Sequence, residues 1–361
     1  MRVLQLLPEL NEGGVERGVV ELNREYTKIG IDSYIISNGG KLDTQIKLDG
    51  GTHIKFDVCS KNIFTSFSRI NKLKKILKQI NPDIIHVRSR VPAWLVYFAN
   101  KKLNIRVVST VHGFNSVSFY SKVMQNANAV ICVSGSIKEY IQKHYQTPED
   151  KITIIPRGID LELFNLSNID DDFIKDFKNK YDLENKFIIS SIGRITQLKD
   201  YETFIKAISL IKNKIPNVKA LIVGGVRSDK QEYLNLLKEL IIELDLNENI
   251  IFTGSQSKIA EIYALSDVVV SSSKKPESFG RAVAESIAMN TPVIATNHGG
   301  VKDIIIKNKN GFFFEVGDEE ELANNIIKSK DLNFDGYTYI KNNFSLENML
   351  ELNIKVYKGL K

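Results

Sequence analysis

The segment that decides the fold runs from Val268-Val269-Val270-Ser271, through Pro276 and Gly280, into Ala282-Val283-Ala284-Glu285-Ser286-Ile287-Ala288. Val293-Ile294-Ala295-Thr296 then repeats the first pattern. A four-residue run with three β-branched valines, bounded by turn residues, reads as a strand buried on both faces, and the stretch after Gly280 has helical spacing. Strand, turn, helix and strand in that order make a parallel crossover, the unit of an α/β sheet covered on both sides.

The same rhythm extends outward. Phe187–Ile192, Ala220–Val223, Ile250–Thr253 and Phe312–Glu315 complete a series of six strands. The helical stretches between them are Tyr201–Ile215, Gln231–Leu244, Ile259–Leu265, Ala282–Ala288 and Glu319–Ser329. An earlier series holds strands at Val3–Leu7, Ser33–Ser37, Ile84–Val87, Val107–Val111, Ala129–Val133 and Thr153–Ile155, with helices such as Val15–Ile29 and Ile70–Ile80. Two parallel sheets in 361 residues predict two α/β domains. The division predicted is 1–160, joined by a C-terminal helix over 340–361, and 161–339. The acidic, polar stretch Asp160–Tyr181, with Asp170-Asp171-Asp172 in its middle, reads as the connector, its aspartates as solvated charge rather than a metal site.

Composition excludes several classes. Apolar residues make up 43% and charged residues 25%, as in a well-cored globular chain. Two scattered cysteines, Cys59 and Cys132, form neither a disulfide framework nor a metal motif, so a reducing, cytoplasmic setting is expected. The opening Met1–Pro8 is too short for a signal peptide, and no apolar run approaches the roughly 20 residues of a membrane span. Charge is uneven. Residues 1–160 hold 23 Lys and Arg against 14 Asp and Glu, and between Lys55 and Arg106 the count is 12 against 2. Within that region, 69–80 places Ile70, Leu73, Ile76, Leu77 and Ile80 at helical spacing among basic residues. It reads either as a helix lying on an anionic membrane or as a sheet-covering helix with wet lysines. No nucleic-acid-reading motif accompanies the charge.

Four strand-end segments carry candidate chemistry. Lys275–Met289 follows a strand. Ser278 reads as an N-cap, a helix from Phe279 or Gly280 presents free amides to a phosphate, and Gly280 permits close approach. Glu277 and Glu285 are carboxylates able to accept paired hydroxyl bonds, one from a sugar and one from a ribose. In Gly193–Asp200, Arg194 and Lys199 offer cations to a diphosphate, the work that a metal ion does in other phosphate enzymes. The loop Asn11-Glu12-Gly13-Gly14-Val15-Glu16-Arg17-Gly18 lets backbone approach a phosphate or sugar at Gly13 and Gly14. It matches neither a dinucleotide fingerprint nor a P-loop. His112, in Val111-His112-Gly113-Phe114, ends a strand where it can meet a sugar or an acceptor. Val133-Ser134-Gly135-Ser136 and Pro156-Arg157-Gly158 close neighbouring strands, and Gly224-Gly225 and Gly299-Gly300 end strands of the second series.

On these residues the chain resembles glycosyltransferase family 4, retaining enzymes of the GT-B fold with two Rossmann-like domains facing a central cleft. The resemblance rests on the Gly13-Gly14 loop, His112-Gly113, Val133–Ser136, Gly193-Arg194 with Lys199, and above all Glu277-Ser278-Phe279-Gly280 with Glu285, the family's E-x7-E signature. It implies a metal-independent, cofactor-free transferase that moves a sugar from a UDP- or GDP-sugar to a glycan or lipid-linked acceptor, in cell-envelope polysaccharide or lipopolysaccharide synthesis. Arg194 and Lys199 would hold the diphosphate. Glu277 and the backbone of Phe279 and Gly280 would hold the sugar, and Glu285 the ribose. Gly14 and His112 would approach the donor from the first domain, onto which the last helix would cross back. Two departures stand out: Lys199 is followed by Asp200 where glycine is common, and Arg157-Gly158 replaces Asn-Gly. A sugar-nucleotide 2-epimerase of the same fold and a non-catalytic glycan-binding partner are the alternatives.

Overall fold

The computed structural model describes residues 1–11 and 13–360; Glu12 of the glycine loop and the last residue of the expected 340–361 helix lie outside them. The chain forms two compact units, Met1–Gly158 together with the segment from Leu346 onward, and Ile159–Ser345.

The first unit is a parallel sheet of β1 (Arg2–Leu6), β2 (Asp32–Ser37), β3 (Thr52–Lys55), β4 (Ile84–Val87), β5 (Arg106–Val111), β6 (Ala129–Cys132) and β7 (Ile152–Ile154). Their spatial order is β3-β2-β1-β4-β5-β6-β7. The second unit holds β8 (Phe187–Ile192), β9 (Val218–Val223), β10 (Ile250–Gly254), β11 (Val268–Ser271), β12 (Val293–Thr296) and β13 (Gly311–Phe314), ordered β10-β9-β8-β11-β12-β13. In each sheet the order reverses once, at β1/β4 and at β8/β11. Loops leaving the carboxyl ends there diverge and leave a crevice, where open α/β sheets bind ligands. Every residue of β4, β6, β11 and β12 is buried, as both-face coverage requires.

The C-terminal segment is two helices rather than one over 340–361. Gly336–Phe344 belongs to the second unit and Leu346–Gly359 to the first. The second helix seats Leu346, Met349 and Leu350 against Val3, Leu22, Ile84 and Ile131. A buried polar chain fixes it: Tyr357 Oη lies 2.8 Å from Tyr26 Oη and 2.5 Å from His86 Nδ1, and His86 Nε2 lies 2.6 Å from Thr110 Oγ1.

Three local readings change. The expected connector over 160–181 lies within the second unit, and Asp171–Tyr181 is helical. Asp170 accepts from Phe173 N at 2.9 Å as its N-cap, and Asp171 and Asp172 oppose the positive end of the dipole. The basic helix begins at Ile63, capped by Asn62, and ends at Ile80. Its apolar stripe is core: Leu73, Leu77 and Ile80 are buried against Leu4, Ile36 and Val87, so that face is closed to a bilayer. Arg69, the first of the basic residues in 69–80, is buried and donates to Asn62 O at 2.9 Å.

Candidate active site

The second unit brings together the two loops at its β8/β11 crevice. After β8, Gly193 N donates to Val223 O and Ile195 N to Gly225 O, which lays the loop across the end of β9. Gly224 permits this, because a Cβ there would stand 1.9 Å from Gly193 O. A short 3-10 turn over Gln197–Lys199 follows, closed by Asp200 at φ +50°. Left-handed backbone explains why glycine is common at this position. Asp200 holds it with its side chain, accepting from Thr203 Oγ1 at 2.8 Å and pairing with Lys274 Nζ at 3.3 Å. Ser272 Oγ, just past β11, donates to Lys199 O at 2.8 Å and ties the two loops together.

Lys199 Nζ is thereby placed 2.5 Å from Glu277 Oε1, which also accepts from Ser273 Oγ at 2.8 Å. Glu277 is fixed through its backbone as well. Its carbonyl accepts from Gly300 N at 2.7 Å, and Gly299 sits at φ +75° so close that a Cβ would come within 2.4 Å of that oxygen. Burial alone would raise the Glu277 carboxyl. The Lys199 charge, the hydrogen bonds from Lys199 and Ser273, and His298 outweigh it and hold the group below the usual glutamate value. His298 Nε2 meets Ser273 O at 2.9 Å; a carbonyl only accepts, so Nε2 carries a proton, and the buried Nδ1 has no hydrogen-bond partner.

The helix that follows is Arg281–Ala288, and its cap is Gly280 at φ +98°, not Ser278. No side chain caps it, so its first-turn amides, which lack intrahelical partners, suit an anion. Phe279 is buried against Phe344, ring centroids 6.0 Å apart, which leaves only its backbone for a ligand. Glu285 is buried and accepts from Arg281 Nε at 2.8 Å and Tyr263 Oη at 3.1 Å. Arg194 is exposed and makes no ion pair among the described residues.

The remaining candidates sit in the first unit. Arg157 Nη1 donates to Gly14 O, and its Nη2 lies 3.2 Å from His112 Nδ1, joining the glycine loop to the histidine; Gly13 is exposed beside Glu16. Arginine only donates, so Nδ1 accepts and the His112 proton resides on Nε2, buried and unmatched. Burial, then Arg157 and Arg88, push His112 well below the ordinary histidine range. It is a neutral donor near pH 7. Ser273, Lys274, His298, Arg88 and Arg90 escaped the sequence reading. Their one available signal was position: Ser273, Lys274, Arg88 and Arg90 come immediately past strands that flank a reversal of strand order, and His298 past the next strand, β12.

Two parallel α/β units, each with such a crevice, define the GT-B glycosyltransferase fold. The sequence profile named Glycosyltransferase Family 4 matches residues 12–163, and that named Glycosyl transferases group 1 matches 173–343. A glycosyltransferase from Rickettsia africae is 34% identical with a TM-score of 0.91, over 99% of this chain and 98% of that one. The Staphylococcus aureus capsular polysaccharide biosynthesis glycosyltransferase CapM is 28% identical over 343 residues, 86% of this chain and 83% of CapM. Anabaena HepE in complex with UDP shares the fold, with a TM-score of 0.86 at 19% identity over 99% of this chain and all of that one. This chain belongs to glycosyltransferase family 4 and is a transferase.

Proposed function

We propose that the protein is a retaining transferase that takes a sugar from a UDP- or GDP-sugar, without a divalent metal or cofactor, and passes it to a glycan or lipid-linked acceptor of cell-envelope polysaccharide or lipopolysaccharide. The observation carrying this reading is the Lys199–Glu277 pair beside the uncapped start of Arg281–Ala288. Phosphate needs fixed positive charge and amide donors, and a sugar needs a held carboxylate. Arg194 and Lys199 are assigned to the diphosphate, Glu277 with the Phe279 and Gly280 backbone to the sugar, and Glu285 to the ribose. Neutral His112 donates to a hydroxyl of the transferred sugar or the acceptor, and Gly13 and Gly14 give the backbone access. HepE crystallised with UDP, and CapM is named for capsular polysaccharide synthesis, which supports the donor and pathway classes. The leaving phosphate deprotonates the acceptor on the same face, and the protein contributes positioning and leaving-group stabilisation.

The test is release of nucleoside diphosphate from a panel of UDP- and GDP-sugars in EDTA, with and without lipid-linked glycans. The anomeric configuration of the product is read by NMR. Turnover confined to added metal, or an inverted product, would overturn the reading, and Glu277→Ala is expected to abolish transfer.

A peripheral place on the cytoplasmic membrane face belongs to the same proposal. No helix among the described residues is long and apolar enough to cross a membrane. Lys72, Lys75 and Lys78 are exposed on the helix Ile63–Ile80, whose first turns also expose Phe64 (95%) and Phe67 (74%). Phe119, 79% exposed, stands 5.8 Å from the Trp94 ring on the neighbouring helix. Exposed aromatics beside lysines suit an anionic lipid interface. Co-sedimentation with anionic vesicles, lost in Phe64→Ser/Phe67→Ser, supports it; no pull-down of the wild-type chain refutes it.

A further inference from the structure

The first unit holds a cationic cavity to which the donor reading assigns only His112. β4 ends at the strand-order reversal, and the chain continues Arg88-Ser89-Arg90 into the helix Arg90–Ala99. Arg88 is 7% exposed, yet its guanidinium meets only neutral acceptors. Nε and Nη2 donate to Gln5 Oε1 at 3.1 and 2.5 Å, and Nη1 donates to Thr110 Oγ1 at 3.3 Å. No carboxylate pairs with it among the described residues. A buried cation without an anion is costly, and a ligand that brings the anion removes the cost.

Arg88 lines a cavity of about 310 Å³ together with Arg90 and His112, and Glu16 is the one acidic residue on its wall. Arg90 Nη1 donates to Ser121 Oγ at 3.1 Å, and its guanidinium lies over the Tyr120 ring, 5.6 Å from the centroid, again with no carboxylate. The buried His112 Nε2–H lacks a partner. Two guanidiniums that no carboxylate pairs, and the His112 N–H, therefore border a space whose only acidic neighbour is Glu16, at a position where open α/β sheets take ligands.

We infer that this cavity binds an oxyanion, a phosphate or carboxylate, carried by the acceptor, with Arg88 as the fork and Arg90 completing the grip. The inference rests on the transferase reading. The diphosphate of the donor is assigned to Arg194, Lys199 and the helix start of the second unit, so a further anion in the same turnover arrives on the other substrate.

The test uses the full chain in two titrations. UDP is titrated first, and its binding or failure to bind judges the donor reading alone. Inorganic phosphate and, separately, malonate are then titrated into the UDP-saturated protein. Saturable binding of at least one anion is expected, weakened at least about tenfold in Arg88→Gln and in Arg90→Gln with UDP affinity unchanged, since each removes charged hydrogen bonds. Whichever anion binds tighter names the group on the acceptor. Arg88→Gln removes an uncompensated charge, so its melting temperature is expected to hold or rise. Should it unfold, the half-buried Arg90→Gln decides. No saturable anion binding, equal affinity in both variants, or displacement of phosphate by UDP would each overturn the inference.

Discussion

Lys199→Met isolates the part of the account that bears most weight. In the wild type the ammonium lies 2.5 Å from Glu277 Oε1, with the two side chains 28% and 22% exposed. Removing it has two effects on UDP binding. A charged hydrogen bond to phosphate is worth about 1.5–3 kcal/mol, a loss of roughly 10- to 150-fold in affinity. Glu277 is also left with only Ser273 and His298 against its burial, so its remaining charge faces the diphosphate and pushes the loss toward the upper end. Adding Glu277→Gln then removes the repulsion, and the double variant should bind UDP better than Lys199→Met alone. A double-mutant cycle by isothermal titration calorimetry should give a coupling of about 1–2 kcal/mol, within the range for residues in one network. Lys199→Met binding UDP within threefold of wild type, or a strictly additive double variant, would refute the reasoning.

Gly224→Ala places a Cβ 1.9 Å from Gly193 O, so the loop bearing Arg194 and Lys199 must move. Thermal unfolding should show a loss of about 1–3 kcal/mol, accompanied by weaker UDP binding. Tyr357→Phe leaves both Tyr26 Oη and His86 Nδ1 short of a partner and should cost about 1–3 kcal/mol, read as a lower denaturation midpoint. Stability should also fall on acidification. Burial, with Arg88 adding, holds His86 well below its usual value, and His112 is held there likewise. The unfolded state takes up these protons below about pH 6.5 while the folded state stays neutral, a loss of about 1.4 kcal/mol per pH unit for each histidine until its folded value is reached. Urea midpoints at pH 7.5 and 5.5 check this, and a shallower slope is expected in His112→Asn.

Much of the fold is legible because buried parallel strands are short β-branched runs and their crossover helices are long. β11 and β12 needed nothing else. The failures have local causes. Thr52–Lys55 has one strongly apolar residue and is an edge strand open to solvent, so no pattern marks it. Arg90–Ala99 is apolar nearly all round, with Pro92 in its first turn, and lacks the two-sided spacing of a surface helix. Ser278 reads as a cap by composition, but the packing of Gly280 on Val301 and of Gly300 on Phe279 starts the helix at a left-handed glycine instead. The carboxylates and phosphate-directed cations could be named from spacing. The Lys199–Glu277 pairing and the isolation of Arg88 among Gln5 and Thr110 depend on neighbours far along the chain, and spacing does not carry them.

A crystal structure of the protein with UDP, grown in EDTA, tests the central claim most directly. The β-phosphate is expected within hydrogen-bond distance of Lys199 Nζ, Arg194 and the amides at the start of Arg281–Ala288, with the ribose on Glu285 and no metal between. Nucleotide density away from those groups, or bridged to them by a metal ion, would contradict it.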